Sequence, residues 1–187
     1  TYQIPLTSRF SSLTRLSELL YDNETLLADS RRLVEELLKG ISPAVTKPQI
    51  SSFYEDYVIF QVREFDEDGA RARLLAERSP LLAQVLRADA DLSSEQEVQD
   101  ALSCQVTYGD DDLTLVDWVS AIVLDKGADD TRAVLEFATV QLLELRQLDS
   151  LLDAALERYY QSLSKRRGWI ASLFSKADED LREVGEL

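Results

Sequence analysis

Between Gly127 and Gly168 the chain contains no glycine or proline, and its apolar residues recur by threes and fours. Leu135, Ala138, Leu142, Leu145, Leu152, Leu156, Tyr159 and Leu163 mark the seam, which Asp149 interrupts once. A repeat of this kind, sustained over several heptads, is the signature of a helix whose apolar stripe packs against other helices. Asp129 and Asp130 suit its start, because carboxylates favour the positive end of a helix dipole. Ser164, Lys165, Arg166, Arg167 and Gly168 predict a polar break, followed by a further helix with Ile170, Leu173, Ala177 and Val184 on one face.

The N-terminal residues offer such a helix a partner. Leu13, Leu16, Leu20, Leu27, Val34 and Leu37 predict one helix over residues 8–39, capped by Thr7 or Ser8 and stopped by Gly40 and Pro43. The two long helices are then matched in length and would pack antiparallel, with the terminal helix folding back as a third member. End-to-end pairing brings Asn23 near Asp149, so a polar layer that fixes the register is expected. Residues 41–53, with their Pro, Ser and Thr, read as a connector.

Between the helices the period changes. Val58, Phe60 and Val62 alternate with Ile59, Gln61 and Arg63, as in a half-buried strand. Asp66, Glu67, Asp68 and Gly69 form a turn. A short helix over residues 71–77 is followed by one opened by Ser79 and Pro80 and a third opened by Ser94, with Glu97 completing a capping box. Residues 105–108 and 113–124 are β-rich and flank a turn at Gly109, Asp110, Asp111 and Asp112. The second run reads as strand with a bend near Asp117 and Trp118, although a helix capped by Asp117 and stopped by Gly127 fits the same residues. The expected fold is α+β and mainly helical: long antiparallel helices forming a bundle or coiled-coil arm, with a small acidic α+β unit. Its parts are a helix over 1–40, a connector over 41–53, the acidic unit over 54–128, and a long helix plus terminal helix over 129–187 packing with 1–40.

Charge follows the same division. The formal net charge is −15. Residues 54–130 hold 19 acids and six bases, whereas residues 131–163 hold five acids and three bases and both ends are balanced. An acidic chain of this kind is a poor match for nucleic-acid phosphate or an anionic membrane surface, and a better one for basic proteins or divalent cations. The single cysteine, Cys104, forms no intrachain disulfide and reads as a small buried side chain in a reducing compartment. No apolar run approaches the length needed to span a bilayer. The chain starts at Thr1 without any methionine, and Leu181, Val184 and Leu187 keep helical spacing to its end, as expected of a piece of a longer protein. The expected location is the cytoplasm, or the cytoplasmic part of a protein anchored through a segment missing from this chain.

The absence of histidine removes serine–histidine and cysteine–histidine pairs, histidine-liganded zinc and the usual general base near neutral pH. The six glycines are scattered, so neither a P-loop nor a dinucleotide fingerprint can be drawn. Asp110, Asp111, Asp112, Asp117, Asp125, Asp129 and Asp130 form the main candidate site. Converging carboxylates would hold magnesium, manganese or calcium and activate water, with Asp110, Asp111, Asp112, Asp117 and Asp125 as the expected ligands. The competing reading makes them turn formers, caps and solvated charge, with no cofactor. Glu64 to Gly69 imitates half of an EF-hand loop, but Leu75 stands where the bidentate glutamate belongs. Ser162 and Lys165 share the spacing of some acylating enzymes without their companion motifs. Lys165, Arg166 and Arg167 before Trp169, Ile170, Leu173 and Phe174 fit a membrane-surface element, or a basic loop between bundle helices.

Tyr108 to Trp118 (YGDDDLTLVDW) and Leu135 to Asp149 (LEFATVQLLELRQLD) together resemble bacterial proteins of a domain-of-unknown-function type. These are similar in layout to the family required for meiotic nuclear division. The resemblance implies an acidic α+β region with long helices and a membrane anchor, and it implies no catalytic residue. The sequence thus favours a protein–protein interaction or scaffold module whose partner is another protein or a second copy. The rival is a divalent-metal-dependent hydrolase or phosphotransfer enzyme centred on the acids within 110–130.

Overall fold

The computed structural model describes the backbone of residues 1–64, 70–109 and 112–184, and the side chains of all of these except 70–72 and 163–184. The chain divides into two compact units, Thr1–Thr139 and Val140–Leu187.

The first unit opens with a segment without regular secondary structure and a 3-10 turn over Phe10–Ser12. Helix α1 follows over Leu13–Leu20, and helix α2 over Glu24–Ile41. The single helix expected over residues 8–39 is therefore two. Asp22 takes a left-handed φ of 48° between them, held by Asp56, which accepts from its backbone N–H at 2.6 Å. Asn23 is not a polar interruption of an apolar stripe. Its side chain accepts from the N–H of Leu26 at 3.0 Å and donates to the carbonyl of Leu19 at 2.8 Å, which caps α2 and closes α1 together. The register-fixing layer expected of Asn23 is thus corrected: the residue's polar atoms are spent on local backbone. At 18 residues α2 also spans only about 27 Å, so it does not match the long C-terminal helix.

Strand β1, Val58–Val62, alternates as expected, with Phe60 turned into the core. The turn over Asp66, Glu67, Asp68 and Gly69 lies outside the described residues. Helix α3, Ala70–Arg87, joins the two expected short helices across a kink at Arg78 (φ −128°, ψ 18°), two residues before Pro80. Helix α4, Glu95–Ala101, starts at Ser94, whose hydroxyl accepts from the N–H of Glu97. Strands β2 (Gln105–Val106), β3 (Leu113–Val116) and β4 (Ser120–Leu124) complete a sheet of order β1-β4-β3-β2. β3 and β4 form the hairpin bent at Asp117 and Trp118, which settles the strand alternative over the helix. β4 pairs parallel with β1 on its other side.

The core lies between one face of this sheet and helices α1, α3 and α4. Phe60, Ile122 and Leu115 stand in one row across three strands. They join Leu82, Val85 and Leu86 of α3 and Val98 and Ala101 of α4 in a single buried cluster. All five residues of β4 are buried, as befits a central strand covered on both faces. The last turn of α3 carries carbonyls that no helical N–H can reach. Two buried serines from elsewhere answer two of them: Ser17 donates to the carbonyl of Val85 at 2.7 Å, and Ser120 to that of Leu86 at 3.0 Å.

α3 ends in a Schellman turn, with Asp89 N–H donating to Gln84 and Ala88 N–H to Val85. Ala88 occupies its left-handed position at φ 50°, where an L side chain is disfavoured and glycine is not. Ala88→Gly is expected to stabilise the protein by about 1 kcal/mol in urea titration. A loss of stability would show that relief of this strain is smaller than the added freedom of the unfolded chain.

Helix α5, Asp129–Val184, runs unbroken through residues 164–168, where a polar break and a reversal were expected. Lys and Arg are good helix formers, and one interior glycine costs only about 1 kcal/mol. Its first 11 residues belong to the first unit and the rest form the second. No described helix is long and apolar enough to cross a membrane.

Candidate functional site

The sheet register decides how the candidate acids are placed. Asp112 directly precedes Leu113 and Asp125 directly follows Leu124, and those two residues are paired across the hairpin. Asp117 lies beyond the Val116–Ala121 pair at the opposite end, roughly 16 Å away along the strands at about 3.3 Å per residue. Asp117 is thus held apart from the other two. Asp110 and Asp111 lie outside the described residues. Among the described residues no group of three or more acids and cysteines is placed to hold a metal ion.

The described acids engage their own surroundings. Asp112 accepts from the N–H groups of Tyr108 (2.8 Å) and Gly109, closing the β2–β3 loop. Asp125 accepts from the N–H of Gly127 at 2.9 Å and shapes the entry to α5. Asp129 pairs with Arg132 one turn on, at 3.0 Å. Asp130 lies exposed in the first turn of α5. Asp117 is half-buried, with 7% of its side chain exposed, and pairs with Arg87, the last residue of α3, at 2.7 Å. Its own N–H donates to the carbonyl of Ser120 at 3.0 Å, and its carbonyl accepts from the hydroxyl of Tyr57 at 3.1 Å. This arrangement fastens α3, the entrance to β1 and the β3–β4 turn at one point.

Burial pushes the Tyr57 phenol up to about 12, with the nearby Asp117 carboxylate and Cys104 thiol adding to the effect. The folded state therefore favours the neutral phenol. That contribution is complete below the ordinary tyrosine range near 10 and is lost as pH rises through about 12. Tyr57→Phe is expected to remove a late-titrating step from the tyrosinate absorbance curve; an unchanged curve near pH 12 would place this phenol in water. Cys104 itself is exposed, which corrects the buried side chain expected of it. It directly precedes β2, an edge strand whose two residues are both exposed.

The largest unsatisfied feature is apolar. In α5 the seam residues Leu145, Leu152, Leu156 and Tyr159 are exposed by 62%, 62%, 53% and 61%. Leu148, Leu151 and Tyr160 widen the stripe. α2 carries a second stripe of Leu33, Val34, Leu37 and Ile41, and none of its residues is buried. Its polar flank is neutralised within the helix, Arg31 pairing with Glu35 and Arg32 with Asp29 and Glu36. The spacing of both stripes is legible in the sequence, but their exposure is not, because periodicity says that a face seeks a partner and not where the partner comes from. Side chains from residue 163 onward lie outside the description, so Leu163 and the Lys165–Trp169 candidates are not placed.

Fold and surface together define an α+β domain with a mixed four-stranded sheet and apolar helix faces open to contact. The chain belongs to the family described as "Uncharacterized protein MJ0711, N-terminal domain", whose model matches residues 1–131. It is similar to the uncharacterized protein MJ0711 of Methanocaldococcus jannaschii, with 25% identity over 151 residues, covering 80% of this chain and 45% of that protein. The chain thus spans less than half the length of that relative. No solved structure matches it. The relative is archaeal, so the resemblance is not confined to bacterial proteins. The family match ends in the first turn of α5, before the exposed stripe begins.

Proposed function

We propose that this chain is a protein–protein contact module that presents the apolar stripe of α5 to a helical partner, forming a bundle or coiled coil with it. The observation that carries this reading is the run of large apolar side chains from Leu145 to Tyr160 that the folded chain leaves in water. Soluble proteins rarely leave a contiguous apolar surface of this extent uncovered unless it is used. Helical stability in water comes mainly from packing an amphipathic face, so α5 gains most where that face is covered. The heptad spacing specifies the partner's shape, since knobs at three- and four-residue intervals fit the holes of another helix. The uneven charge supports the same reading, because the acid excess lies in residues 54–130 and leaves the stripe nearly neutral.

The test is binding of an environment-sensitive apolar dye to the dilute native chain, before and after Leu145→Glu with Leu152→Glu. Fluorescence enhancement in the parent chain that falls in the double variant is expected. A native chain that binds no dye would mean that its own residues already cover the stripe, and the reading would be lost.

A further inference from the structure

This inference rests on the contact reading above and names the partner. Written as heptads, the stripe puts Leu142, Asp149 and Leu156 at one seam position and Leu145, Leu152 and Tyr159 at the other. The residues flanking the seam on one side are then Arg146, Asp153 and Tyr160, and on the other Gln141, Leu148 and Ala155. Flanking residues set partner and orientation through their charges.

Two identical helices aligned in parallel would bring Gln141 to Arg146, Leu148 to Asp153 and Ala155 to Tyr160. No charge pair forms, and Asp149 faces Asp149 of the other copy in the seam. Aligned antiparallel, with Leu145 layered on Leu156 and Leu142 on Tyr159, Arg146 meets Asp153 of the second copy. By symmetry Asp153 meets the second Arg146, so the ion pair occurs twice. Asp149 then lies against Leu152 and away from its own image. A second copy is also the occupant that the chain's charge permits at this face. Residues 54–130, with 19 acids against six bases, repel their like, whereas residues 131–163 carry only two more acids than bases. We infer that α5 is the interface of a homodimer in which the two copies of residues 142–159 pair antiparallel, oriented by reciprocal Arg146–Asp153 contacts.

Within one helix Arg146 and Asp153 are seven residues apart, about 10 Å along the axis, which is beyond ion-pair reach. Their coupling therefore reports contact between copies. The experiment is sedimentation equilibrium of the full chain over a dilution series, with circular dichroism confirming that each variant stays folded. The parent chain should pass from monomer to dimer, and Leu152→Glu should remain monomeric. Arg146→Asp and Asp153→Arg should each weaken the dimer about tenfold by setting like charges against each other twice. The double variant, with both charges exchanged, should recover most of that loss. A parent chain that stays monomeric throughout, or a double variant weaker than either single one, overturns the inference. In the monomeric case a chain that still binds the apolar dye keeps the contact reading, and one that binds none loses both.

Discussion

Asp117→Ala is expected to destabilise the first unit by about 3 kcal/mol, seen as a fall of about 6–12 °C in Tm. The cost arises because Asp117 has only 7% of its side chain exposed and answers a guanidinium that is itself two-thirds covered. Removing the carboxylate leaves Arg87 charged with no other ion-pair partner among the described residues. The loss falls at the low end for a broken buried pair, because Arg87 keeps 32% exposure and can turn toward water. Removing both partners, as in Arg87→Leu with Asp117→Ala, should cost less than the two single changes combined. The loss should also be the same with chelator as with added magnesium, since the partner of Asp117 is an arginine. A change in Tm of under about 1 °C would mean that the pair is solvated and that α3 is held by packing alone.

Ile122→Ala has an effect of similar size by a different route. Ile122 is fully buried in the middle strand of the sheet, flanked in register by Phe60 and Leu115. With strands on both sides and α3 over the face, little can move to fill the space. A loss of about 4 kcal/mol in urea titration is expected, toward the upper part of the range for such truncations. Against a typical total of about 5–15 kcal/mol this is a large fraction, and it should lower the midpoint without changing the slope. Leu152→Ala supplies the contrast. At 62% exposure the same kind of truncation should change the stability of the dilute chain by less than about 0.5 kcal/mol. Equal losses at the two positions would show that the α5 stripe is packed within the chain.

These contrasts track what the residues themselves disclose. The alternation of Val58, Phe60 and Val62 marks β1 because a two-residue period has few other uses, and Ser94 with Glu97 marks the start of α4 through a local backbone bond. The β3–β4 hairpin is legible for the same reason, its apolar run being cut by Asp117 at the bend. The break between α1 and α2 is less legible, since Leu20 and Leu27 keep helical spacing across it. The signal lies in the intervening Asp22 and Asn23, two residues suited to a left-handed turn and a cap. The parallel pairing of β1 with β4 is a tertiary choice that no local pattern encodes. Cys104, which leads into β2 at the other edge of the sheet, is exposed, and so reverses the expectation that a lone cysteine is buried.

The candidate sites divide in the same way. Seven acids close together in sequence look like one cluster, yet a hairpin of four- and five-residue strands separates Asp117 from Asp112 and Asp125. Nearness along the chain becomes distance in space because an extended strand runs between them. The apolar seam behaves oppositely. Its helix exists as the spacing implies, and residues 1–40 supply two shorter helices in place of the single one expected.

The most direct measurement of the central claim is amide hydrogen exchange on the full chain at high dilution, comparing β4 with residues 140–162 of α5. If the stripe awaits a partner, the α5 amides should exchange far faster than those of Ile122 and Val123, because no tertiary packing holds that stretch of helix closed. Protection across residues 140–162 equal to that of β4, at the lowest concentration measurable, would contradict the account by showing that the chain covers the stripe itself.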